Sequence, residues 1–163
     1  MDNLPLQSLI SPAVVIDASA DIAGDADGVL TLDTVHRWET QHGRIPDSSV
    51  VLLRTGWEDH YSDPQKYGLQ PDGLHFPGFG VEATRFLVDE RKVVGIGLDT
   101  LGIDRGMDTD FPVHSTVTLP RNVWHIENLT NLRSVPATGA LVFVGVWWAI
   151  VRVLDARRLY IKV

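Results

Sequence analysis

The sequence predicts an α/β domain, and three observations carry that expectation. Short β-branched or apolar runs recur along the chain, at Ala13-Val-Val-Ile16, Val50-Val-Leu-Leu53 and Val93 to Leu98. Helical patterns with their own start and stop signals lie between them. The 163 residues, 44% hydrophobic and 21% charged, fit a single domain over 1–163 with enough apolar side chains for a core.

Ala13 to Ile16, ending at Asp17, reads as a strand buried on both faces. Thr31 caps a helix reaching His42, in which Leu32, Val35 and Trp38 share an apolar face and Gly43 is the stop. Val50 to Leu53 is the second buried strand. Thr55 to Phe79, rich in Gly, Pro, Asp and aromatics, reads as a long ordered loop of the kind that often carries function. Glu82 to Val88 gives a helix with Ala83, Phe86 and Leu87 inward. Val93 to Leu98 is the third strand, Asp110 to Leu119 a loop or short helix, Val123 to Ile126 the fourth strand and Ala140 to Val144 the fifth. Leu159 to Lys162 is expected as a sixth, at an edge.

The formal charge is −7 with the acidic residues scattered, so no basic stripe offers itself to a phosphate backbone, and no nucleic-acid partner is expected. With no cysteine there is no disulfide framework, no thiolate metal site and no Cys nucleophile. Any metal must be held by His, carboxylate and water. The first residues do not read as a signal peptide. The longest apolar run, Ala140 to Val151, is interrupted by Gly145 and falls short of the roughly 20 residues a membrane span needs. No membrane partner is expected, and a soluble cytoplasmic protein follows by default.

Four segments, Pro12-Ala-Val-Val-Ile-Asp17, Val51-Leu-Leu-Arg-Thr-Gly-Trp57, His75-Phe-Pro-Gly-Phe79 and the stretch from Asp99 to Leu132, occur in an order and spacing that resembles the cyclase family of metal-dependent hydrolases. That family includes kynurenine formamidase and isatin hydrolase. The resemblance implies the swivelling β/β/α fold, a mixed sheet with helices packed outside; composition alone would not choose it over a doubly wound sheet. Members of the family carry an N-terminal His-x-Gly-Thr-His-x-Asp-x-Pro-x-His motif. None of the six His residues here, His36, His42, His60, His75, His114 and His125, lies in such a pattern. The expectation is therefore an N-terminally truncated version of the family fold.

The resemblance assigns His114 and Glu127 to metal binding, and an imidazole with a carboxylate suits Zn²⁺ or Mn²⁺. Read without it, His114 caps a turn and Glu127 pairs with an arginine. Two ligands fall short of the three that a catalytic zinc normally keeps. Trp57, His75 and Phe76 are placed by the resemblance at the substrate region, with Arg54 near it. Trp57 is equally a core residue. Asp99 and His125 are expected to order the site from behind the ligands, His125 because it alternates with Glu127 along one strand. Asp104 and Asp108, in a Gly-rich loop, read as turn formers. His36 and His42 belong to a solvated helix face, and no catalytic residue is assigned.

These residues imply a metal-dependent amide hydrolase acting on an aryl formamide or cyclic amide, inactive if the absent segment is indispensable. The rival is a non-catalytic oligomeric or binding module that keeps the fold. A third reading, a metal-free acid–base enzyme using His75, His114 and Asp99, has the least behind it. Adjacent Trp147 and Trp148 on a strand would point to opposite faces, so one needs cover from elsewhere, and a homo-oligomer is expected.

Overall fold

A computed structural model of the chain describes residues 10–144. Its centre is a five-stranded mixed sheet in the order β8-β7-β3-β1-β9. The strands are β1 (Ile10–Asp17), β3 (Val50–Arg54), β7 (Gly95–Leu98), β8 (Trp124–Ile126) and β9 (Ala140–Phe143). The first four run parallel, each laid beside its predecessor, and β9 returns antiparallel along the other side of β1.

The continuous apolar runs form β1, β3 and β7 because both sheet faces are covered there. On one face Val14, Ile16, Val51, Leu53, Ile96 and Leu98 pack against helices. On the other, Ala13, Val15, Val50 and Leu52 are covered by Leu132, with Trp124, Leu129 and Val135 against them.

Two eleven-residue helices cover the first face, α2 (Leu32–His42) and α4 (Val81–Arg91). Thr31 caps α2 by accepting the Thr34 backbone N–H at 3.2 Å, and Gly43 ends it with φ +88°. Val35 and Trp38 are buried from α2, each such side chain contributing about 1.5–3 kcal/mol of apolar transfer. The Trp38 indole also donates to the Val15 carbonyl at 2.8 Å, tying the helix to β1. From α4, Ala83, Leu87 and Val88 are buried, while Phe86 is only half-buried and lies under the Arg91 guanidinium at 4.2 Å. His36 and His42 are exposed, as the sequence suggests.

A further four-residue helix, α1 (Ser19–Ile22), follows β1. The stretch from Thr55 to Phe79 is more regular than a loop. It holds a 3-10 turn at Trp57–His60, α3 (Pro64–Tyr67), a hairpin of β4 (Leu69–Gln70) with β5 (Gly73–Leu74), and β6 (Gly78–Phe79), which pairs with β2 (Val29–Leu30). Asp63 caps α3 by accepting from the backbone N–H of Gln65 and Lys66, and Pro64 suits its first turn. Elements of two to four residues are too short to show a hydrophobic period, which is why the sequence pattern does not reveal them.

The expected sixth strand at Leu159 to Lys162 lies outside the described residues. So does the Trp147–Trp148 pair on which the expectation of an oligomer rests. Among the described residues, no helix is long and apolar enough to cross a membrane.

Candidate metal centre

The carboxyl ends of the parallel strands carry the polar side chains, the usual location for sites on such sheets. Asp17 and Arg54 are the last residues of β1 and β3, while Asp99 and Glu127 immediately follow β7 and β8. These four divide into two sectors with different roles.

In the first sector the side chains serve the fold. Asp99 is fully buried, and its carboxylate accepts from the Thr55 backbone N–H and hydroxyl, both at 2.8 Å, from Gly56 N–H at 2.9 Å and from Glu58 N–H at 3.3 Å. It therefore fixes the turn after β3 and makes none of these bonds to His114 or Glu127. Arg54 pairs with Asp17 at 2.7 Å and with Glu58 at 3.4 Å. Burial alone would raise the Glu58 pKa, but backbone N–H groups of Arg133 and Leu132 and the Arg54 guanidinium outweigh it and hold the carboxyl below its usual range.

The second sector brings together groups that can bind a cation. His114, His125 and Glu127 each present one donor atom, and the three atoms lie within 4.8 Å of one another. All three residues are half-buried. His114 opens a single π-helical turn (His114–Thr118), a rare geometry often found at functional sites. His125 and Glu127 are two residues apart along β8 and its end, so the period of a strand puts them on one side.

Asp104 organises His114. Its side chain accepts from Val113 N–H at 2.6 Å, from His114 N–H at 3.2 Å and from His114 Nδ1 at 2.5 Å. A carboxylate that already takes two backbone donors can only accept the third, so Nδ1 of His114 carries a proton, and in the neutral imidazole the lone pair then lies on Nε2. That Nε2 stands 3.7 Å from Glu127 Oε1. Asp104 is thus a buried partner of His114, correcting its reading as a turn former, because its acceptors are taken by residues nine and ten positions away. Asp108 pairs through its side chain with the Arg105 guanidinium three residues back, at 2.8 Å.

The other two donors are also oriented. Glu127 Oε1 accepts the Ile103 N–H at 3.3 Å. The His125 ring stands edge-on to His114 with centroids 4.5 Å apart, and its Nε2 lies 3.4 Å from the Thr118 hydroxyl. Burial, followed by the neighbouring His114, pushes the His125 pKa down, which favours the neutral imidazole that a metal ligand must be. The expectation placed His125 behind His114 and Glu127; the structure sets it side by side with them. The signal was its alternation with Glu127.

His114 and Glu127 border a cleft of about 830 Å³. Its walls are mainly apolar, from Leu74, Phe76, Leu101, Phe111 and Leu119, with His114 and Glu127 among its polar lining. Of the three side chains expected at the substrate region, Phe76 lines this cleft. Trp57 packs partly buried against the helix-side core and donates to the Tyr67 carbonyl at 3.2 Å, and His75 binds Asp27 at 2.9 Å through Nδ1. Neither is among the cleft's lining residues.

Two glycines let the wall close. A Cβ on Gly78 would sit 2.5 Å from the Arg105 nitrogen and 2.6 Å from the Asp104 carbonyl carbon, and one on Gly106 would sit 2.6 Å from the Leu74 oxygen. The segment carrying Asp104 is thus pressed directly onto β6 and the end of the hairpin.

A His₂-carboxylate set with a fixed tautomer and an apolar cleft beside it suits a divalent transition metal. Residues 1–105 match the family model described as putative cyclase. An isatin hydrolase from Roseibium aggregatum is 35% identical over 149 residues, covering 88% of this chain and 56% of that protein. The structure of isatin hydrolase A from Ralstonia solanacearum superposes with a TM-score of 0.79 at 36% identity, over 86% of this chain and 55% of that one. An isatin hydrolase bound to the product analogue thioisatinate gives a TM-score of 0.77 at 36% identity, with the same coverage. The chain therefore spans a little over half the length of these relatives. The family match, the fold and the order of its polar residues agree, and the chain belongs to the putative cyclase family.

Proposed function

We propose that this chain supplies a His₂-Glu metal centre and an aryl-binding cleft to a metal-dependent amide hydrolase, acting on a cyclic aryl amide of the isatin type. The observation that carries this reading is the convergence of His114, His125 and Glu127 within 4.8 Å beside an apolar cleft. The identity to isatin hydrolases, 35–36%, favours a cyclic amide over an open aryl formamide.

His114 and Glu127, with His125, would hold Zn²⁺ or Mn²⁺, which accept mixed nitrogen and oxygen donors. A bound ion would act there as a Lewis acid toward the amide carbonyl. The chain's own groups prepare that end of the cleft. Asp104 keeps the proton of His114 on Nδ1, and the Ile103 N–H turns the Glu127 carboxylate toward His114. Phe76 and the leucines beside it offer the substrate ring an apolar wall.

The test is metal content by elemental analysis after dialysis against trace Zn²⁺ and Mn²⁺, followed by a ring-opening assay with isatin. Near-stoichiometric metal and hydrolysis in the wild type, both lost in the His114→Ala, Glu127→Ala double variant, are expected. Absence of metal from both proteins would overturn the reading and leave a family fold serving as a binding module.

A further inference from the structure

Phe111 is 58% exposed and occupies an otherwise polar segment, Asp108-Thr-Asp-Phe-Pro112. Its backbone is left-handed, with φ +47°. A bulky residue in that region is strained, and the following Pro112 restricts Phe111 further. Glycine would meet the same backbone without the penalty.

The surroundings impose that conformation. Asp104 draws in the N–H groups of Val113 and His114 just beyond it. On the same turn Ser115 N–H donates to the Phe111 carbonyl at 2.8 Å, and the Ser115 hydroxyl to the Asp110 carbonyl at 3.3 Å. The strain thus comes with the turn that presents His114. A phenyl ring in this place gains little burial within the described residues, so core packing gives no reason for it.

What the ring does meet is the cleft. It lines the wall shared with His114, its plane at 87° to the imidazole and its centroid 6.1 Å away. A second aromatic residue, the 5% exposed Phe76, lines the same cleft. Rings meet favourably edge-to-face or offset, which an aliphatic ring of similar size cannot reproduce.

We propose that Phe111 is a specificity-determining residue that selects flat aryl rings for the end of the cleft beside His114 and Glu127. The proposal deepens the hydrolase reading and rests on it for the reaction, though not for binding. Phe111 holds the ring of the substrate and takes no part in bond making.

The test compares isatin with glutarimide, an aliphatic cyclic imide, by ligand-observed NMR titration of the purified protein and of Phe111→Gly and Phe111→Leu. Isatin is expected to bind the wild type more tightly than glutarimide, and both variants to weaken isatin about three- to tenfold while leaving glutarimide unchanged. Metal content should not change. Phe111→Gly should melt no lower than Phe111→Leu, since glycine relieves the strain. Unchanged isatin affinity in both variants, or a wild type that binds neither compound or does not prefer isatin, would overturn the proposal. Variants that lose both ligands equally together with their melting transition would also overturn it, because the ring would then be holding the fold. The two readings fail separately. Hydrolysis with an isatin affinity indifferent to Phe111 removes only the present proposal; isatin binding that depends on Phe111 in a protein taking up no metal removes only the hydrolase.

Discussion

Asp104 shows how much one side chain can decide at this site. Its two oxygens receive two backbone N–H groups and an imidazole N–H, and it is 3% exposed. Replacing it with Asn keeps the volume but puts an amide N–H₂ against at least one of these donors, and His114 is then free to take the other tautomer. Partners of this kind typically contribute 10- to 100-fold to metal affinity. Asp104→Asn should therefore weaken Zn²⁺ binding by about that factor, read by competition with a chromophoric chelator, and unaltered affinity would show that His114 is not a ligand. Asp104 was hard to read in the sequence because its partners are fixed by the turn at 111–114, whereas an Asp in a Gly-rich loop ordinarily bonds locally. That His114 and Glu127 come together was legible through the order of the family's segments. His125 was legible in part, since strand alternation already placed it on the side of Glu127.

Among elements, the contact between β6 and the segment 103–106 bears most directly on the site. Gly78→Ala would force a methyl group into the backbone at Asp104 and Arg105, which cannot withdraw as a flexible side chain can. Overpacking of this kind costs about 1–3 kcal/mol. Urea denaturation should show that loss, and metal uptake should fall with it because Asp104 must shift. Stability equal to the wild type would mean that the segment gives way freely. The longer elements were plain in the sequence. Thr31 and Gly43 bracket α2, and β-branched or apolar runs mark β1, β3 and β7, because caps and burial on both faces act over a few neighbouring residues. The hairpin β4–β5 and the pairing of β2 with β6 were not legible, since each depends on two residues whose partners lie elsewhere in the chain.

At the scale of the whole molecule, Glu58 joins parts that are distant in sequence. Its side chain, 5% exposed, accepts Leu132 N–H at 3.1 Å and Arg133 N–H at 3.3 Å and pairs with Arg54, so the turn after β3 holds the segment that covers the second sheet face. The folded carboxyl titrates below its ordinary value of 4.5, so its stabilisation is complete above that value and is lost as pH falls through the folded pKa. Glu58→Gln should cost about 1.5–3 kcal/mol at pH 7, as charged hydrogen bonds do. The gap in melting temperature between variant and wild type should narrow once the pH drops below about 4.5. A gap that does not change with pH would show that the bonds matter and the charge does not.

The return of β9 along β1 has a mechanical side. Ile10 stands opposite Phe143 and Ala13 opposite Ala140 in an antiparallel ladder. Tension applied between residues 10 and 143 would load that ladder from its open end, so its bonds would part in succession, as in a zip. The parallel pairs of β1 with β3 and β3 with β7 would at first bear none of the load.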